Sequence, residues 1–281
     1  MIIHNGYEGL SLKHPLVTMG VFDGVHRGHR ALLDYLVLSA LKGGGESVVV
    51  TFNPHPRLVL PGSKEGLSFL TTLEEKTKLL EQTSVGHLII IRFDGDLSNL
   101  EASEFIRRIL VQKIGIKHFI IGYDHHFGKN RKGDLGVIES CGKLYNFSVE
   151  QVNEVSVPEG TISSTAIREA LLSGRLEDAN KWLGYFYSLG GKIVPGRKLG
   201  RSLGFPTANI RPDDDFKLVP ANGVYAVNVR IGEKTIPGVM SIGFNPTVNK
   251  DLLQRFLEVH IFDFTGNLYG QDIRVTFRFR L

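Results

Sequence analysis

The 281-residue chain has a single cysteine, Cys141, so no disulfide can form within it. No apolar run approaches the length of a bilayer-spanning helix. The opening stretch, MIIHNGYEGLSLKHP, lacks the basic segment, long apolar core and small-residue cleavage site of a secretory signal. These absences point to a reducing cytoplasm and to no membrane partner. Repeats and low-complexity tracts are also missing, and glycine clusters only locally, as in LKGGGES at 41–47. What is present is ordinary for a folded chain: 42 % hydrophobic and 22 % charged residues. The length exceeds the usual size of one hydrophobic core, so two domains are expected.

The formal net charge of +4 is unevenly placed. From Leu183 onward there are 13 Lys and Arg against 8 Asp and Glu, whereas the remainder carries 20 against 21. The basic C-terminal part suits nucleic acid or a phosphorylated small molecule equally well.

Through the first 180 residues, short apolar runs such as LVTMGVF, SVVVTF, HLIIIRF and HFIIG alternate with segments of i, i+3, i+4 spacing, among them RALLDYLVLSALK, TLEEKTKLLEQ and ASEFIRRILVQKI. This predicts βαβ units in a doubly wound parallel sheet. Ligands bind such sheets at the carboxyl ends of the strands, where FDGVHRGH, FNPHPR and GYDHHFGKNRKG fall. Two helices, STAIREALLSG and LEDANKWLG, are expected to close this domain. Beyond Gly184 the period changes to two, in VYAVNVRI, FLEVHIFDF and QDIRVTFRF, with turn signals IGEK and FTGN between them. That pattern predicts a small antiparallel β-barrel. The expected domains are therefore 1–184 and 185–281.

The segment from Met19 to Leu33, MGVFDGVHRGHRALL, carries a glycine-rich turn from a strand into a helix. Such a turn offers backbone N–H groups and the positive end of a helix dipole to an anion. His26 and His29 lie about one helical turn apart and can face that anion together. Adenylyl transfer asks a protein chiefly for donors where charge grows on the α-phosphate and the departing pyrophosphate. A histidine pair also decorates surface turns or holds a metal, but zinc would need further ligands that are not obvious nearby. With Gly20, Asp23 and Gly24 in the turn, a phosphate site is the better reading.

The run Gly20-Val21-Phe22-Asp23-Gly24-Val25-His26-Arg27-Gly28-His29 resembles the opening motif of the prokaryotic bifunctional riboflavin kinase/FAD synthetases, a branch of the His-x-Gly-His nucleotidyltransferases. The resemblance implies nucleotide contacts from Gly20, Phe22, Asp23 and Gly24, with His26 and His29 catalytic. TFNPHPR, at 51–57, looks like a second element of that family, implying nucleotide contacts from Asn53 and His55 and flavin contacts from Asn53 and Pro54. ISSTAIR, at 162–168, looks like its second phosphate element. There Ser163, Ser164 and Thr165 are good N-cap types, and Arg168 near the helix start opposes the dipole, as expected beside an anion. GYDHHFGKNRKGD matches a further loop, implying a nucleotide contact from Asp124 and a flavin contact from Phe127. It departs from the family at His125, where relatives carry an aromatic.

In the second domain GGKIVPGRK imitates a P-loop, but Arg197 stands where lysine belongs and no Ser or Thr follows Lys198. The run GRKLGRSLGFPTANI has another use. Its glycines and basic residues suit phosphates, while Thr207 and Asn209 share one face of an extended segment and offer hard oxygen donors for magnesium. The segment resembles the riboflavin kinase signature, which implies a nucleotide site at Gly196, Lys198 and Gly204 and Mg2+ on Thr207 and Asn209. PANGVYAV follows at the expected distance, implying a flavin contact from Tyr225. In FLEVHIFDF, Leu257, Val259 and Ile261 share one strand face and leave Glu258 on the other. A carboxylate there can accept a proton from a primary hydroxyl attacking a γ-phosphate, and the family has its catalytic base at the position of Glu258. Asn245 departs from the family's usual Arg, and relatives continue beyond Leu281 into a terminal helix.

The resemblance spans nearly the whole chain. It implies ATP-dependent phosphorylation of riboflavin to FMN in the barrel, then adenylylation of FMN to FAD, with release of pyrophosphate, in the α/β domain. One rival is an adenylyltransferase whose barrel is an appendage. Another is a non-enzymatic flavin sensor or nucleic-acid regulator, opposed by the absence of a helix-turn-helix or an aromatic-and-basic single-strand motif. The substrates expected are riboflavin, FMN and ATP, with no nucleic-acid partner. A homo-oligomer is left open.

Overall fold

The computed structural model describes residues 1–123, 127–129, 133–153, 156–157, 160–195, 207–244, 255–264, 266 and 268–281. It divides into two compact units, Met1–Leu67 with Leu73–Ile162, and Ser68–Thr72 with Ser163–Leu281.

The first unit runs β1 (Ile2–Asn5), β2 (Pro15–Met19), α1 (Arg27–Gly43), β3 (Glu46–Asn53), α2 (Pro56–Val59), α3 (Leu73–Glu81), β4 (His87–Arg92), α4 (Gly95–Ser98) and α5 (Ala102–Phe105). A π-helical stretch (Ile106–Ile114) continues α5, followed by β5 (His118–Gly122), α6 (Leu135–Tyr145) and β6 (Ser148–Val152), then the short pair β7 (Ser156–Val157) and β8 (Gly160–Thr161). Six strands pair in the order β1-β4-β3-β2-β5-β6, all in parallel. Both faces are covered, and strand periodicity sorts the side chains between them. Val17, Val48, Val50, Ile89, Phe119 and Ile121 pack with Phe105, Ile109 and Ile138 on one face. Leu16, Val49, Leu88 and Ile120 pack with Leu33, Leu36 and Leu80 on the other. Each such side chain contributes roughly 1.5–3 kcal/mol when fully buried. The doubly wound sheet expected from the alternation is therefore present, with β1 and β6 as its edges.

The second unit contains α7 (Ser164–Leu172), α8 (Leu176–Leu183), β9 (Ser188–Val194), β10 (Thr207–Pro212), β11 (Gly223–Ile231), β12 (Lys234–Phe244), β13 (Arg255–Ile261) and β14 (Asp272–Arg280). Its strands close into the barrel β10-β13-β12-β11-β14-β9, antiparallel throughout. The IGEK turn is a two-residue hairpin between Ile231 and Lys234. Gly232, at φ 57°, takes the positive-φ position that such turns require. Tyr225, Val227, Val229, Met240, Val259, Val275 and Phe277 are buried among the barrel strands.

The period change expected at Tyr185 marks where the strands begin, but the division by contact falls at Ser163. Asn180 on α8 accounts for part of the difference. Its Oδ1 accepts from the Tyr187 N–H at 2.7 Å, and its Nδ2 donates to the Phe277 carbonyl on β14 at 3.3 Å. The segment 68–72 also groups with the barrel. Phe69 N–H donates to the Phe216 carbonyl, and buried Lys217 donates to the Leu70 carbonyl at 2.6 Å. No described helix is long and apolar enough to cross a membrane.

Candidate active sites

The strand order reverses between β2 and β5, and the turn after β2 opens onto that switch point, where doubly wound sheets bind ligands. Phe22, Gly24 and Val25 in this turn have φ of 52°, 83° and 37°. A bulky and a β-branched residue in the left-handed region store about 1–3 kcal/mol of strain each. The turn holds because Gly20 N–H donates to the Val50 carbonyl, Val25 N–H donates to the Phe22 carbonyl, and Phe22 and Val25 are anchored in the core. His26 is the N-cap of α1, and its Nδ1 accepts from the His29 N–H at 3.3 Å. A neutral His26 therefore carries its proton on Nε2, as a donor. The two imidazoles stack with centroids 3.6 Å apart and planes at 18°. Gly28 makes this possible, because a Cβ there would sit 3.2 Å from Cε1 and Nδ1 of His26.

Burial pushes His29 well below its usual pKa, with smaller contributions from His26 and from Lys76. Its Nδ1 is shut off from solvent and has no protein partner among the described residues. Asp23 is buried, and Lys76 from α3 is 7 % exposed. The Lys76 ammonium donates to the Val21 carbonyl at 3.0 Å and to Thr51 Oγ1 at 3.3 Å. Burial lowers its pKa to about 8, against the opposing pull of Asp23. Sequence reasoning read this lysine only as part of a helical run. Its one signal was a cation on a helix that packs against the sheet.

Asn53 and Pro54 end β3 exposed at the same carboxyl edge, and the half-buried His55 caps α2 by accepting from the Arg57 N–H at 3.1 Å. Phe52, beside Asn53, lies against Phe105, which Phe127 meets edge-on with centroids 5.7 Å apart. Phe127 and Gly133 exchange backbone hydrogen bonds across the base of its loop. The Phe22 ring is 3 % exposed, belongs to the core and meets His29 edge-on, so the ring supports the histidine. Ser163 caps α7, as its residue type predicts, through an oxygen that accepts from the Ala166 N–H. Ser164 and Thr165 open α7, and Arg168 is its fifth residue, with Nη2 donating to Thr165 Oγ1 at 3.2 Å.

In the barrel, Asn209 on β10 stands directly opposite Glu258 on β13, and Thr207 stands opposite His260. Ser241 on β12 flanks Glu258 from the other side. Leu257, Val259 and Ile261 are buried while Glu258 and His260 are half-buried, as the alternation predicts. Tyr225 lies on β11. It is fully buried, its hydroxyl donates to the Ala221 carbonyl at 2.5 Å, and its ring meets Phe277 edge-on. An aromatic at an inward position of a closed barrel becomes core. Asp124, His125, Gly196, Lys198, Gly204 and Asn245 lie outside the described residues.

An α/β sheet with a phosphate-type turn, joined to a barrel with an oxygen-rich strand row, defines a two-domain nucleotide-using enzyme class. The FAD synthetase family model matches residues 10–166 and the riboflavin kinase model matches residues 183–281. The bifunctional riboflavin kinase/FMN adenylyltransferase of Listeria monocytogenes is 36 % identical over 275 residues, 94 % of this chain and 86 % of the relative. The enzyme of the same name from Escherichia coli K12 is 39 % identical over 264 residues, 94 % of this chain and 83 % of the relative. A crystal structure of a Streptococcus pneumoniae protein named as a macrolide-efflux protein matches with TM-score 0.87 at 31 % identity, covering 100 % of this chain and 90 % of that one. The chain belongs to the bifunctional riboflavin kinase/FMN adenylyltransferase family, whose two reactions take riboflavin to FMN and FMN to FAD.

Proposed function

We propose that the histidine turn is the site of FMN adenylylation and that the Asn209–Glu258 row is the site of riboflavin phosphorylation, both in the reducing cytoplasm. The observation that carries the reading is the pairing of two donor-rich constellations with two family matches, one in each part of the chain. In the first, His26 Nε2–H, the α1 N-terminus and the exposed Asn53 bind and orient phosphate oxygens while charge grows on the α-phosphate and pyrophosphate leaves. The unpartnered Nδ1 of His29 is consistent with a ligand completing its hydrogen bonding.

In the second, Glu258 accepts the proton of the riboflavin primary hydroxyl as its oxygen attacks the γ-phosphate, the β–γ bridge bond breaks and ADP leaves. Thr207 and Asn209, a hydroxyl and an amide beside that carboxylate, fit a hard cation that takes few protein ligands and keeps the rest for water and phosphate. They would hold Mg2+, which supplies charge neutralisation on the phosphates when bound. The test is to incubate the protein with riboflavin, ATP and magnesium and resolve the flavins by chromatography. Both FMN and FAD are expected, and absence of FAD even when FMN is supplied would overturn the first assignment.

A further inference from the structure

Lys76 is the buried cation of the histidine turn, and the established chemistry assigns it nothing. An ammonium withdrawn from water costs several kcal/mol unless its surroundings compensate. Here its hydrogen-bond acceptors are one carbonyl and one hydroxyl, at 3.0 and 3.3 Å, and no carboxylate lies within ion-pair distance among the described residues. A methionine would fill such a space without the desolvation penalty. The acceptors, moreover, are particular. The Val21 carbonyl belongs to the strained turn, and Thr51, whose Oγ1 itself donates to that carbonyl at 3.3 Å, lies in β3 and begins the TFNPHP element.

We infer that Lys76 is a positioning residue of the adenylylation site: its ammonium ties the Val21 carbonyl to Thr51 and so fixes the turn that carries Asp23, His26 and His29. The inference rests on reading that turn as the adenylylation site. A second consequence is electrostatic. The charged groups that act on His29 are His26 on its own helix and Lys76 from α3, and Lys76 is acted on in turn by Asp23. Burial is the main cause of the lowered His29 pKa and the lysine charge adds to it, so the positive charge of the site sits on Lys76, in a water-poor place where it acts strongly on phosphate.

The test uses the full chain and assays the two reactions separately. Lys76→Met is expected to lower kcat for FAD formation from FMN at least 100-fold, with KM for FMN within threefold and riboflavin phosphorylation within twofold. Lys76→Arg is expected to recover most of the loss. In Lys76→Met the His29 imidazole, followed by NMR, titrates at higher pH than in the parent, whereas Lys76→Arg, which keeps the charge, leaves it low. FAD formation within threefold of the parent in Lys76→Met would overturn the inference. Should that variant not fold, the parent decides: kcat/KM for FAD formation falls as pH rises through about 8, and a flat profile to pH 10 would overturn it. His29→Ala separates the two levels. If it loses FAD formation while Lys76→Met retains it, the Lys76 inference alone fails; if it too retains FAD formation, the reading of the turn fails with it.

Discussion

The two proposed sites place their polar groups in opposite ways. In the α/β unit the polar groups are sunk into the protein: Asp23, His26, Thr51 and Lys76 are all buried, beneath a turn with three positive-φ residues. In the barrel the apolar side chains fill the interior, and Asn209 and Glu258 stand half-buried in register on neighbouring strands. Burial of polar groups makes the first site stiff, charged in a low-dielectric setting and sensitive to pH. The strand row of the second depends on register alone, which a closed antiparallel sheet fixes through its hydrogen-bond ladder.

That contrast can be broken most sharply at Glu258. Glu258→Ala is expected to abolish FMN formation, by about 1,000-fold or more, and to spare adenylylation of supplied FMN. Equal loss of both would show that the units do not act separately. Gly28→Ala probes the other side. Its Cβ meets the His26 ring at 3.2 Å, so displacement of the ring should lower FAD formation about 10- to 100-fold and leave riboflavin phosphorylation intact.

The buried Lys76 gives the α/β unit a pH signature. Lys76 has a folded pKa of about 8 against 10.5 for the free group, so between those values the unfolded chain binds the extra proton and stability climbs with pH. Relative to Lys76→Met, the parent should gain up to about 3 kcal/mol across that window, read from chemical denaturation at pH 8 and pH 10. On the acid side His29 is also depressed, so the stability linked to it is complete above pH 6.5 and is lost as pH falls below that value. The smallest effect is expected from Tyr225→Phe. Losing the hydrogen bond to the Ala221 carbonyl costs about 1 kcal/mol, and a barrel in which Tyr225 is core keeps its kcat for riboflavin phosphorylation within twofold.

How much of this was legible from sequence follows from the same contrast. Strand alternation is a local signal, so the parallel sheet, the barrel, the IGEK hairpin and the outward row of Glu258 could all be read directly. The spacing of His26 and His29 was visible too, but their 3.6 Å stacking and the space left by Gly28 were not. Lys76 was hidden because 55 residues separate it from Val21 and a lysine on an amphipathic helix normally faces water. The burial of the Phe22 and Tyr225 rings was hidden for the converse reason: motif position does not say which way a ring points. The grouping of α7, α8 and residues 68–72 with the barrel depends on long-range contacts at Asn180 and Lys217, for which a linear pattern carries no signal.

The central claim is that the two units cleave ATP at different bonds, and labelled ATP tests it directly. With intact protein, riboflavin and magnesium, label on the γ-phosphate should enter FMN, and label on the α-phosphate should enter FAD as unlabelled pyrophosphate is released. In Glu258→Ala supplied with FMN, only the α-label should transfer. Intact protein that releases no pyrophosphate and labels no flavin, or a Glu258→Ala variant that loses both transfers together, would contradict the account.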